Sequence, residues 1–254
     1  MASETKIDVQ KERKALTNAK ALLDDVHFLR PVTFSEPALR CCDIVWLRPK
    51  SVTEEPQVYV PVADGSSKIG RLRTANSIPE FEWFMVPLAQ LCNSPKLIFK
   101  MLSEDENFDA DYGGMFKVKF YSSGNWQEII IDDRLPCHSC DQSEIRPYFA
   151  TIETGFWLPL IIKAYAKLHG SYEKLIGGIM SEAYAEFTAG ITEIFPLNSL
   201  RPKFHVSLKK FFDSSSLLTA EYVHKDEPYG DTSYWNVVDM ECKEYDIPNL
   251  EPTD

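Results

Sequence analysis

A chain of 254 residues with 44% hydrophobic content is long enough to bury one large core or two modest ones, so a globular fold is expected. Acidic residues outnumber basic ones 38 to 27, and the formal charge of -11 is spread along the sequence, which disfavours nonspecific binding to nucleic acid or to an acidic membrane surface. No segment reaches the roughly 18 apolar residues of a membrane span, the N-terminus lacks the apolar run of a signal peptide, and six cysteines are too sparse for a secreted disulfide scaffold; a soluble, cytoplasmic chain with free thiols is expected.

Residues 1–25 mix Lys, Glu, Asp and Gln with a few Ala and Leu, the composition of a surface helix or a partly ordered leader. From Pro31 to Ser77 five prolines break helical patterns and leave extended pieces such as the stretch from Gln57 to Val62. Trp83 to Glu104 carries apolar residues at helical spacing, and Asn93-Ser94-Pro95 divides it into two helices. Pro87 either starts the first helix or distorts its opening turn.

Phe116, Val118 and Phe120 alternate with Lys117 and Lys119, the period of a strand with one wet face. Ser122 to Asn125 supplies turn chemistry, and Trp126 to Ile131 forms the returning strand. In Gly155 to His169 the apolar positions step by three and four, a buried amphipathic helix that Gly170 is placed to end. Phe204 to Leu218 reads as one more helix, Tyr234 to Met240 as a strand, and residues 241–254 as an acidic tail.

Several of these pieces, in this order, resemble the calpain family of papain-like cysteine proteases. The carriers are Trp46-Leu47-Arg48-Pro49, Ile131-Asp132-Asp133-Arg134-Leu135-Pro136, and Phe156-Trp157 followed by Lys163-Ala164-Tyr165-Ala166-Lys167-Leu168-His169-Gly170-Ser171-Tyr172 and Gly177-Gly178. Phe187-Thr188-Ala189-Gly190 is similar to the family's phenylalanine-threonine-glycine-glycine. The resemblance implies an α+β, papain-like core with a mostly helical first lobe and a partial, β-containing second lobe. The implied division is a leader over 1–39, a first lobe over 40–195 and a second lobe with the tail over 196–254.

The same resemblance implies a cysteine nucleophile at a helix N-terminus, a histidine base, an orienting asparagine and an oxyanion glutamine. At the nucleophile position this chain carries Glu82, followed by the expected Trp83. Asn76 stands at the oxyanion position and Ser233 at the base, and the asparagine position falls beyond Asp254. The implied calcium ligands are also replaced, with Arg73 and Gly155 where carboxylates belong, so no cofactor is expected although active relatives use calcium.

The expected function is therefore that of a non-catalytic calpain-like protein that binds protein partners, cytoskeletal or calpain-related ones among the candidates, in the cytoplasm or on the cytoskeleton. Two alternatives stay open. One is an active calcium-dependent cysteine endopeptidase in which Cys92 acts with His224 or His205; the other is a fragment of a longer calpain-like chain. Cys137-His138-Ser139-Cys140 offers two thiols three apart, but no second ligand pair completes a zinc site. Asp132-Asp133 beside Arg134 is read as an ion pair or turn cap, His169 as a cation at a helix C-terminus, and Trp83, Trp126 and Trp157 as core.

Overall fold

The fold is seen in a computed structural model that describes residues 8–26, 28, 44–61, 68–69, 72, 79–109, 112–138, 145–150, 155–196, 204–223 and 232–236, the strand residues after 220 by backbone alone. It divides into two compact units, 1–194 and 195–254. No helix among the described residues is long and apolar enough to cross a membrane.

In the first unit, helix α1 (Val9–Asn18) opens with Asp8 as its N-cap, whose carboxylate accepts the Lys11 amide. Strand β1 (Ile44–Leu47) leads into the single turn α2 (Pro49–Val52). The proline expected to break helices here begins one instead, because the first helical position needs no amide donor. Helices α3 (Glu82–Cys92) and α4 (Pro95–Met101) part at Asn93-Ser94 as the sequence predicts. Pro87 lies inside α3 without ending it.

Strands β2 (Met115–Ser122) and β3 (Asn125–Asp132) form the expected hairpin, pairing Phe116 with Ile131 and Ser122 with Asn125. Its two-residue loop, Ser123-Gly124, has positive φ at both positions, which matches the right-handed twist of the flanking strands. Strand β4 (Leu135–His138) was not apparent from sequence. It pairs with β1, Leu47 opposite Leu135, and with the short β5 (Arg146–Pro147) on its other edge.

Helix α5 (Trp157–His169) ends where Gly170 turns left-handed at φ 99°, and α6 (Met180–Thr188) follows. Tyr165 on α5 sits at the middle of the core, its ring 5.3 Å from Phe84 of α3, 5.2 Å from Phe120 of β2 and 5.1 Å from Phe187 of α6. Trp83 and Trp157 are buried as expected, but Trp126 is not. It lies at the hairpin tip against Tyr121, 39% exposed, because the strand places it beyond the reach of the helices.

The second unit contains α7 (Phe204–Asp213) and a hairpin of β6 (Thr219–Val223) and β7 (Thr232–Asn236). The helix stops five residues short of the expected Leu218, where Ser214-Ser215-Ser216 supplies turn chemistry and Ser215 takes a positive φ. Phe195 stacks on Phe211, 5.8 Å between centroids, giving α7 an aromatic clamp within its own unit. The strand expected over 234–240 appears as β7; its second half and the acidic tail lie outside the described residues.

Candidate functional site at the start of helix α3

A 3-10 turn over Pro79–Phe81 runs directly into α3, which puts Glu82 in the first helical turn. Glu82 is half-buried, and both neighbours are anchored. Phe81 is fully buried against Phe84 and Phe149, with centroids 5.2 and 5.3 Å away. Trp83 is buried too, and its Nε1 donates to the Leu175 carbonyl at 2.9 Å.

The diglycine closes this frame from the other side. The Gly177 amide donates to the Glu80 carbonyl at 3.1 Å, and a Cβ on Gly178 would run into the Trp83 indole. The Glu82 carboxylate is thus held at a helix N-terminus, where unpaired amides and the helix dipole favour a negative charge. That environment would equally favour a thiolate. A carboxylate in the same place accepts hydrogen bonds and attracts cations, but it is a poor nucleophile toward an amide.

The described thiols, Cys92 and Cys137, lie elsewhere. Cys92 closes α3, buried, its Sγ donating to the Leu88 carbonyl at 3.2 Å, and burial pushes its pKa from 9.0 up to about 12. Cys137 is fully buried on β4 and is likewise pushed up to about 12 by burial. Its neighbour His138 projects from the other face of the strand and stacks on Tyr148 at 4.1 Å, so the two do not form a thiol-imidazole pair. Cys140 lies outside the described residues, and among those described no group of three or more His, Cys, Asp or Glu is arranged to hold a metal ion.

Arg73, Asn76 and His224 also lie outside the described residues. Ser233 falls in β7 opposite Tyr222 of β6. His205 is exposed on α7. His169 ends α5 as expected, and its Nε2 lies 3.2 Å from the Glu186 carboxylate, which also accepts the Tyr165 hydroxyl at 2.5 Å.

Gly155 is fixed by its neighbours. Its φ is 106°, and a Cβ there would collide with the Val58 carbonyl oxygen. That oxygen accepts the Trp157 amide at 3.0 Å while Gln57 O accepts the Phe156 amide at 2.9 Å, so the 57–58 segment caps the start of α5. A glutamate at position 155 has no room in this backbone.

Sequence reasoning found Asp132, Asp133 and Arg134 of the most heavily bonded part of the unit but missed Lys163, Lys167, Asp24 and Asp25. Lys163 is fully buried and donates to the Asp132 carboxylate, to Asp132 O at 3.1 Å and to Arg134 O at 2.6 Å, which satisfies all three ammonium protons. Arg134 pairs with Asp132 at 2.7 Å and with Asp24, Arg48 pairs with Asp133, and Lys167 reaches Asp25 at 2.5 Å. The available signal was that α5 is apolar beyond a single stripe, at Leu158 and Ile162 as well, so a lysine within it had to be buried and paired. A polar cavity of about 270 Å³ lined by Arg13, Lys14, Ser103, Asp105 and Tyr112 lies beside α1, away from Glu82.

The family described as calpain family cysteine protease matches residues 29–238. Calpain-B of Drosophila melanogaster is 34% identical over 177 residues, covering 68% of this chain and 18% of the relative. Calpain-A of the same organism is 34% identical over 179 residues, 69% of this chain and 20% of the relative. Calpain-8 of Rattus norvegicus is 35% identical over 178 residues, 69% of this chain and 24% of the relative. The matched region thus spans about a fifth to a quarter of the length of these relatives.

Proposed function

The chain belongs to the calpain family of cysteine proteases, and we propose that it is a pseudoprotease of that family, one that binds proteins and does not hydrolyse them. The observation that carries this reading is the half-buried carboxylate of Glu82 at the head of α3, rigidly flanked by buried Phe81 and Trp83. Cysteine proteolysis begins with a thiolate attacking the peptide carbonyl while a nearby base takes the proton. Glu82 would have to form an anhydride from an amide, an uphill exchange. Cys92 supports the same reading, because a thiol whose pKa is pushed up to about 12 has almost no thiolate at neutral pH.

Calcium enters no step of this proposal. Gly155, where the resemblance implies a glutamate ligand, is pressed against the Val58 carbonyl with no space for a side chain. The position supplies no charged oxygen, and carboxylates set most of a calcium site's affinity. Partners are then proteins held by the surface of the chain, with cytoskeletal proteins and active calpains the classes to test first, in the cytoplasm.

Incubating the protein with an electrophilic cysteine-protease probe and with a fluorogenic peptide, each with and without Ca²⁺, tests this. No probe-labelled cysteine and no turnover are expected under either condition. Calcium-dependent turnover, or mass-spectrometric assignment of the probe to Cys92, would overturn the reading in favour of an active endopeptidase.

A further inference from the structure

The N-terminal segment from α1 to Asp25 lies across the first unit as a strap, and its contacts are more specific than those of a trailing leader. Arg13 reaches Glu106 at 2.6 Å and the Met115 carbonyl at 2.9 Å. The Leu23 amide donates to Gly113 O at 2.8 Å, Leu23 O accepts from Arg48 at 2.9 Å, and the Asp25 amide donates to the Asp132 carboxylate at 3.0 Å. Gly113 and Gly114 both have positive φ, and a Cβ on Gly114 would sit 2.9 Å from both the Leu22 Cβ and the Arg48 guanidinium. The turn is therefore shaped to the strap.

The charges give this seat its chemistry. Four cations, Arg48, Arg134, Lys163 and Lys167, meet four carboxylates in the connected pairs, and two of the four, Asp24 and Asp25, belong to the strap. With the strap in place the cluster is neutral. With it lifted, Lys163 keeps the Asp132 carboxylate and two carbonyls and Arg48 keeps Asp133, but Arg134 loses Asp24 and Lys167 loses Asp25. These two partly buried cations, with the Arg48 guanidinium and the Gly113 carbonyl, then offer charge and backbone partners to an acidic, extended chain.

We propose that residues 8–25 are held by the core as a ligand in cis, and that the seat formed by Arg48, Gly113-Gly114, Arg134 and Lys167 takes the Asp24-Asp25 strap of a second copy of this chain when its own is withdrawn. This is an exchange of straps between copies, separate from the Glu82 helix start and independent of whether that site is catalytic.

A labelled synthetic peptide of residues 8–26 tests it by fluorescence anisotropy against the full-length chain and its D24N/D25N variant. In the native chain the peptide competes with a tethered strap at an effective concentration on the order of millimolar, so saturable binding at micromolar protein is not expected. The D24N/D25N chain should bind the native peptide at least tenfold more tightly than the native chain does, and should bind a peptide carrying the same two asparagines at least tenfold more weakly than the native peptide. Equal binding by both chains, or by both peptides, overturns the proposal. If the variant does not fold, hydrogen exchange on the native chain decides. The Leu23 and Asp25 amides must exchange at least tenfold faster than the paired amides of β2 and β3, and exchange of both sets at the same rate overturns it.

Discussion

The Asp132–Lys163 cluster and the first turn of α3 lie in one compact unit, yet the sequence has treated them in opposite ways. The cluster pairs each of its charged residues, while the helix start carries Glu82 where the proposed reading puts a lost nucleophile. Burial accounts for the difference. Asp132 and Lys163 are fully buried, so removing either strands the other in an apolar interior. Glu82 is half-buried at a helix end that tolerates any small anion, and changing it removes chemistry without removing structure. A fold preserves what its stability requires.

The largest expected effect lies in the cluster. Asp132→Ala leaves Lys163 and Arg134 without their shared carboxylate and should cost about 3–5 kcal/mol, read as the shift in urea-denaturation free energy. A loss below about 1 kcal/mol would mean that water reaches Lys163, and the contrast between the two regions would collapse. Gly155→Glu should come next, at about 3 kcal/mol, because it forces a side chain onto a positive φ and into the Val58 carbonyl. The variant should gain no thermal stability from Ca²⁺; a calcium-dependent rise in Tm would show that the segment around Val58 can yield and admit a ligand.

The sequence made the scaffold readable wherever a period repeated. The β2–β3 hairpin and α5 carry alternation and three-four spacing over eight or more residues, and both formed with their ends near the expected positions. Strand β4 did not show itself, because Leu135 to His138 is four residues with a proline, and its pairing partner β1 lies some ninety residues earlier. Glu82, Trp83 and the diglycine could be placed by motif, but that Gly178 packs on the Trp83 indole required coordinates. The cluster was half legible. Asp132-Asp133-Arg134 was read as a local ion pair, whereas Lys163, Lys167, Asp24 and Asp25 join it through contacts that no local pattern encodes.

A smaller effect distinguishes the two thiols from a catalytic one. With its pKa pushed from 9.0 up to about 12, Cys92 stays neutral in the folded chain after the unfolded chain has begun to ionise. Its contribution to stability is full below pH 9.0 and is lost as pH rises toward 12, and Cys137 follows the same course. Alkylation of Cys92 and Cys137 by iodoacetamide at pH 8 should therefore wait on opening of the fold and run at least tenfold slower than in the urea-unfolded chain. Rapid labelling of Cys92 in the folded protein would make it a candidate nucleophile again.

The smallest stability change and the sharpest chemical one are expected at Glu82. Glu82→Gln removes a charge from the α3 N-terminus and should cost about 0.3–1 kcal/mol, near the limit of a denaturation measurement. Glu82→Cys should restore a thiol in the setting that lowers thiol pKa, so the probe that leaves Cys92 untouched should label the new cysteine. Peptide turnover should still be absent, because the proposed reading puts Ser233 at the base position and a thiolate without a proton acceptor and donor cannot complete acyl transfer. Labelling without turnover would place the remaining loss beyond the nucleophile. Turnover from the single substitution would show that a base survives elsewhere and that position 82 alone separates this chain from an active protease.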